Sequence, residues 1–136
     1  MNIEENLRHL ALYRLRQAEE SVDEARYLFE GSKSPRSVVN RAYYAMFYAV
    51  LGLLIFEPYS SSKHSGILSY FNRNFIKTGK ISKDLGRAVN RAFDLRQRTD
   101  YREEFNISRG QAEPFIGWAE MFVSSVKFYL KDNNCI

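Results

Sequence analysis

The strongest chemical signal in the sequence is an arginine near the end of a predicted helix. Arg96 continues an otherwise apolar stripe whose other members are Leu85, Val89, Ala92 and Phe93. Asp100 follows four residues later on the same face and can accept from the guanidinium, and Tyr101 supplies a phenol beside it. The pattern predicts either a structural ion pair between the helix end and the next loop, or an anion-binding group at a cleft. In the second case Arg98 and Arg102 would extend a surface that attracts phosphate.

One histidine lies where acid–base chemistry is feasible. His64 opens the apolar stripe of another predicted helix, and imidazole titrates near neutral pH. No nucleophile or carboxylate lies at a telling spacing from it, so the alternative is a half-buried histidine with a backbone hydrogen bond. Two histidines and one cysteine are too few for a zinc site, and neither a Gly-rich phosphate loop nor a Ser-His-Asp arrangement occurs. We therefore predict no metal and no cofactor.

The positive charge is concentrated in the middle of the chain. Residues 31–110 carry 14 basic and six acidic side chains, a net charge of +8, whereas the whole chain has a net charge of +4. Such an excess attracts an anionic partner such as nucleic acid, a nucleotide or an acidic protein surface. The alternative is a basic face that only meets solvent.

Composition and length predict one helical domain over residues 1–136. Seven glycines and three prolines are too few for many short strands and tight turns, and 45% of the residues are hydrophobic, enough for one core. The longest uncharged run, residues 42–56, is shorter than the roughly 20 residues that a membrane span needs. The acidic N-terminus lacks the apolar segment of a secretory signal. These features favour a cytoplasmic protein without membrane contact.

Apolar spacing and capping residues predict five helices in an antiparallel bundle. The first spans about residues 3–29 and ends at Gly31, and the second begins at Ser34-Pro35 and runs to about Phe56. The second is apolar nearly all round, which predicts that the others surround it.

The remaining three helices have caps that can be read from the sequence. Ser61 and Ser62 offer caps for the third, which Thr78-Gly79 closes, and Ser82 starts the fourth. Ser108 and Gln111 form a capping box for the fifth. Pro114 lies inside this last helix and predicts a kink or a restart.

Four stretches of the sequence resemble, in order, the HEPN domain superfamily, in particular its small stand-alone branch. They are NRAYYAMFYA at residues 40–49, KHSG at 63–66, RQRTDY at 96–101 and the Ala-rich stretch at 112–122. The resemblance covers approximately residues 10–130, and RQRTDY is similar to the branch's Arg-x-x-x-Asp-Tyr motif.

This resemblance implies an antiparallel helical bundle that commonly forms a homodimer, with the motif after the fourth helix lining the dimer cleft. Many members are encoded beside a minimal nucleotidyltransferase and form toxin–antitoxin pairs in which the HEPN member is often a ribonuclease. If the helices pack as in the family, Arg41, Tyr44 and His64 line the same cleft as Arg96.

The sequence departs from the pattern of the family at two places, and one of them is Tyr48, which stands where relatives often have histidine in the second helix. The other is the motif of the ribonuclease members. Those members carry arginine followed four to six residues later by histidine, and no arginine in this chain has a histidine at that distance. Asp100 and Tyr101 stand where that histidine would be sought, and an aspartate paired with arginine titrates far from pH 7.

Two functional hypotheses follow from these observations. The first is a HEPN-like module that dimerises and binds a nucleotidyltransferase partner, a nucleotide or RNA at a basic cleft, as part of a toxin–antitoxin-like pair. The second is a metal-independent ribonuclease toxin that uses Arg96, Asp100 and His64 without the usual spacing. Whether the chain is an enzyme is left open between them.

Overall fold

Five α-helices make up the described part of the chain. The computed structural model describes residues 2–101 and 106–136, and of residues 99–101 it describes the backbone alone. The helices are α1 (Ile3–Glu30), α2 (Pro35–Leu54), α3 (His64–Phe71), α4 (Lys83–Tyr101) and α5 (Arg109–Asp132), and a π-helical turn (Asn72–Ile76) extends α3. No strand occurs within these described residues, so the prediction of an all-α bundle is confirmed.

The central position of α2 follows from its sequence. Twelve of its 20 residues are buried, and it contacts α1, α3, α4 and α5. The four-residue connection 31–34 folds α2 back along α1. The backbone of α1 passes close to α2 at Gly52, where an added Cβ would contact the Ala11 carbonyl oxygen at 3.6 Å. An added Cβ would thus make an ordinary van der Waals contact, so the two helices lie close together at a position with room for glycine or alanine.

The end of α1 agrees with the prediction, whereas the start of α3 differs in detail. α1 ends before Gly31 as expected, but the residue with positive φ is Ser32, at 54°. α3 begins at His64 with Lys63 at its N-cap, so the cap lies one residue beyond the predicted serines. Ser61 instead accepts a hydrogen bond from the backbone N–H of Lys63 at 3.1 Å, which shapes the loop before the helix.

The start of α5 follows the sequence closely. Ser108 accepts from the N–H of Gln111, whose side chain accepts from the N–H of Ser108, so the predicted capping box is present. The helix then runs through Pro114 from Arg109 to Asp132, so of the two predicted alternatives, a kink or a restart, the restart does not occur and the kink stays a prediction. Pro114 lies in the second turn, where its missing N–H removes a single intrahelical hydrogen bond close to the helix end.

Aromatic packing joins α3 and the π-helical turn to α5. The Phe71 ring lies 5.6 Å from the Phe122 ring and 6.0 Å from the Phe75 ring, and Phe75 contacts Tyr129 at 5.7 Å. Buried side chains of all five helices form one cluster, which fixes α4 against α2 and so determines what the α4 side chains meet. None of the helices within the described ranges is long and apolar enough to cross a membrane.

Candidate functional site

Arg96 is held against α2 by two hydrogen bonds. Its Nε donates to Oδ1 of Asn40 at 3.2 Å, and its Nη2 donates to the hydroxyl oxygen of Tyr44 at 3.0 Å. The guanidinium carbon also lies 5.3 Å from the centre of the Tyr43 ring and 5.0 Å from that of Tyr44. Because the guanidinium is planar, one hydrogen bond from each of two nitrogens fixes its orientation. The nearby aromatic rings stabilise its positive charge.

The local sequence explains why α2 and α4 meet in this way. On α4, Ala92 and Val89 are fully buried one and two turns before Arg96, so the same helix face that packs on α2 presents the arginine. On α2, Asn40 precedes Tyr43 and Tyr44 by one turn and therefore lies on the same face as they do. The half-buried Arg96 is thus the polar end of a packing stripe.

A second arginine shares the Tyr44 ring. The guanidinium carbon of Arg41 lies 5.0 Å from the centre of that ring, and its Nη1 lies 3.3 Å from a carboxylate oxygen of Glu24 on α1. Arg41 and Arg96 therefore bring two positive charges to one phenol, and among the side chains that the structure describes the carboxylate of Glu24 partly offsets the charge of Arg41. Two cations that converge on a partly buried surface attract an anion such as a phosphate group.

His64 lies against the other side of this aromatic group. Its Nδ1 is 2.8 Å from the hydroxyl oxygen of Tyr43, and its ring stacks on Phe47 with a centroid distance of 3.9 Å. Burial lowers the pKa of His64 below its ordinary value of 6.5, and the positive charge of Arg96 lowers it further. Burial raises the pKa of Tyr43 far above its ordinary range. Both groups are therefore uncharged at pH 7.

The structure brings together four of the residues singled out in the sequence. Arg41, Tyr44, His64 and Arg96 form one cluster, which we call the basic–aromatic cluster together with Asn40 and Tyr43. They come from α2, α3 and α4, and each is linked to another member by a hydrogen bond, a ring contact or a cation–π contact.

The other predicted site residues lie elsewhere or outside the description. Arg98 is exposed and pairs with Asp94 at 3.1 Å. It follows Arg96 by two residues in the same helix, so its side chain points to another face of α4. The side chains of Asp100 and Tyr101 lie outside the described residues, and Arg102 does so entirely. The backbone places Asp100 and Tyr101 in the last turn of α4. An ion pair between Arg96 and Asp100 would therefore join two residues of the same helix, and would not link the helix to the next loop as one of the two hypotheses expected.

Sequence reasoning missed two members of the cluster. Asn40 and Tyr43 enter the sequence analysis only as members of the stretch NRAYYAMFYA at residues 40–49. The available signal for Asn40 was a polar side chain at the start of an apolar helix, one turn before two tyrosines. The signal for Tyr43 was the need of its buried hydroxyl for a hydrogen-bond partner.

The chemistry open to the cluster is recognition of an anion. It offers two guanidinium groups, a phenol and a neutral imidazole, all of which can donate hydrogen bonds to phosphate oxygens. Throughout the described ranges, no group of histidine, cysteine, aspartate and glutamate side chains has the arrangement of a metal site. The residues thus favour binding by charge and hydrogen bonds.

Comparisons with known proteins identify relatives that match most of this chain. The chain is 41% identical over 120 residues to a protein of Thermotoga maritima named "UPF0332 protein", covering 88% of this chain and 90% of that one. It is 33% identical over 122 residues to a protein of Methanocaldococcus jannaschii named "Putative toxin MJ0142", covering 90% of this chain and 82% of that one. A third relative, "Putative toxin MJ0605" of the same organism, is 36% identical over 115 residues, 85% of this chain and 84% of that one.

A sequence model of the HEPN domain matches residues 11–129, a range that begins with the first buried residue of α1 and includes the whole basic–aromatic cluster. The match and the five-helix bundle agree, and this chain belongs to the HEPN domain family.

Proposed function

We propose that this chain is the toxin-type member of a toxin–antitoxin-like pair and that it binds RNA or a nucleotide through phosphate groups at the basic–aromatic cluster. The observation that carries this proposal is the convergence of Arg41 and Arg96 on the Tyr44 ring, with Arg96 oriented by Asn40 and Tyr44. Two relatives whose names include the word toxin support the biological role.

Titration of a fluorescent single-stranded RNA with the protein and with Arg96→Ala tests the binding. The affinity of the wild type is expected to fall with salt, at a log–log slope of roughly 0.7 per phosphate contacted. Arg96→Ala should weaken binding and lower the slope by about 0.7. Arg87→Ala is the matched control, because Arg87 is an exposed arginine of the same helix that pairs with Asp84. Equal affinities for Arg96→Ala and the wild type would refute the proposed site.

The proposal includes two protein partners, a second copy of this chain and a minimal nucleotidyltransferase. Both rest on membership in the HEPN family, whose small stand-alone members commonly dimerise and are encoded beside such an enzyme. Sedimentation equilibrium of the purified chain tests the dimer. Co-expression with the product of a neighbouring gene that carries a Gly-Ser and paired-aspartate motif tests the second partner. A monomer at all concentrations, or an isolated gene, would remove the corresponding partner.

A second candidate function is RNA cleavage without a metal, and one observation favours it. His64 lies close enough to Arg96 for the charge of the guanidinium to lower its pKa, although 32 positions separate the two residues. An arginine and a histidine thus contact the same two rings, those of Tyr43 and Tyr44, without the sequence spacing of the ribonuclease members. Incubation of labelled RNA with the protein in a chelator, beside Arg96→Ala, tests this candidate. Absence of cleavage, or cleavage that Arg96→Ala leaves unchanged, would eliminate it.

A further inference from the structure

The hydrogen bond between Tyr43 and His64 determines which ring nitrogen of the histidine carries its proton. The Tyr43 hydroxyl oxygen lies 2.8 Å from Nδ1 of His64, and Tyr43 is fully buried. Either group can donate in such a pair, because a phenol is both donor and acceptor and a neutral imidazole has one nitrogen of each kind. The surroundings of the two groups decide the direction.

The phenol has to be the donor. Burial raises the pKa of Tyr43, so the hydroxyl keeps its proton at every physiological pH. A buried hydroxyl proton without an acceptor is strongly disfavoured, and His64 is the acceptor that the described residues offer it. If Nδ1 carried the proton instead, it would donate to the phenol oxygen and leave the phenol proton with no acceptor among those residues.

The ring of His64 is held firmly enough for this direction to persist. Phe47 stacks on it at 3.9 Å with planes 15° apart, and Tyr44 meets it edge-on at 5.8 Å. Among the described side chains, the groups that face His64 from the neighbouring helices are the phenols of Tyr43 and Tyr44 on α2 and the guanidinium of Arg96 on α4. Burial and the positive charge of Arg96 disfavour a second proton on the imidazole.

We propose that Tyr43 holds His64 in the neutral tautomer with its proton on Nε2, so that His64 serves the nucleic-acid site as a hydrogen-bond donor to a phosphate oxygen. Tyr43 is the positioning residue in this arrangement. Nε2 is the other nitrogen of the ring, and in this tautomer it already carries a proton. It therefore cannot accept a proton from a ribose 2′-hydroxyl. This role rests on the proposed function and assigns His64 to ligand recognition rather than to base catalysis.

Nitrogen-15 NMR of the imidazole tests the tautomer without any ligand. The chain has two histidines, and replacing the exposed His9 by glutamine leaves His64 as the sole signal. At pH 8 this variant is expected to show a protonated Nε2 and an unprotonated Nδ1, and Tyr43→Phe in the same background should show a mixture of tautomers. A dominant Nδ1–H form, or an unchanged spectrum in Tyr43→Phe, would overturn the proposal. Tyr48→Phe is the matched control, because Tyr48 contacts the Tyr44 ring from the same helix.

Binding of the single-stranded RNA tests the role in recognition. His64→Leu, which has no donor, is expected to lose roughly two- to tenfold in affinity, the effect of one hydrogen bond, whereas His64→Gln keeps a neutral donor and should lose less. The affinity of the wild type should stay constant between pH 7 and 8.5, because the donor needs no added proton. Equal affinities for His64→Leu and the wild type would overturn the role of His64 in binding even if the tautomer is as expected. An unchanged affinity in Arg96→Ala would instead refute the proposed function, while the NMR result would still stand.

Discussion

Removing the side chain of Asn40 distinguishes the effect of the charge of Arg96 from the effect of its orientation. Asn40 accepts from Nε of Arg96, so Asn40→Ala leaves the positive charge in place but removes one of the bonds that orient the guanidinium. Hydrogen bonds to charged groups contribute about 1.5–3 kcal/mol. This bond is 3.2 Å long and only partly buried, and we therefore expect a loss of about 1 kcal/mol in the free energy of unfolding.

The same variant should weaken RNA binding in a distinctive way. If the ligand requires the oriented guanidinium, a penalty of about 1 kcal/mol corresponds to an affinity about fivefold lower. The salt slope should remain that of the wild type, because the number of neutralised phosphates is unchanged. Arg96→Ala, by contrast, should change both affinity and slope.

Fluorescence anisotropy over a series of salt concentrations and urea denaturation supply the two measurements. Asn90→Ala is the control, since Asn90 is an exposed asparagine of α4 that exchanges two hydrogen bonds of 3.0 Å with Asn72. It should leave RNA affinity unchanged. If Asn40→Ala lowers stability but binds RNA as tightly as the wild type, the orientation of Arg96 is irrelevant to binding and the reasoning is wrong.

Three further predictions concern stability. Gly86→Ala should lower the melting temperature, because its Cβ would lie 3.0 Å from three side-chain carbons of Ile76. Gly117 has open space around it, and Gly117→Ala should raise the melting temperature by a few degrees because alanine has the higher helix propensity. The folded-state pKa of His64 is below 6.5 because of burial and the charge of Arg96. The free energy of unfolding of the wild type relative to His64→Gln should therefore be greatest above pH 6.5 and decrease as the pH falls toward the folded-state pKa. A difference in urea denaturation that does not change with pH would contradict this prediction. Ser108→Ala should cost about 1 kcal/mol in the same assay through loss of the N-cap, and no change would contradict the capping role.

The helices could be predicted because their signals are local. The capping box of Ser108 and Gln111 involves residues three positions apart, and the apolar stripe of each helix repeats every three or four residues. The central place of α2 follows from its apolar character on all sides, and this property can be read without knowing the other helices. The exact cap of α3 was missed because Ser61 uses its side chain in the preceding loop.

The contacts of the basic–aromatic cluster depend on packing that a single sequence does not reveal. The predicted local partner of Arg96, Asp100, has its side chain outside the described residues and stays a prediction. The described hydrogen bonds of Arg96 reach Asn40 and Tyr44, 56 and 52 positions earlier. The bond between Tyr43 and His64 likewise joins positions 21 apart. Such pairs form only once the core has set the relative placement of α2, α3 and α4, and the local periodicity of one helix carries no information about that placement.

The ion pair between Arg41 and Glu24 has a consequence for the ligand class of the proposed anion site. The carboxylate of Glu24 is tethered 3.3 Å from the guanidinium, so an incoming group competes with a resident anion at high local concentration. A single weak anion such as acetate gains little from that exchange, and an uncharged sugar gains nothing. A phosphodiester chain, which brings several negative charges at once, can displace the carboxylate while its other phosphates engage neighbouring cations. At the proposed site, Glu24 would thus be an internal competitor against monovalent anions.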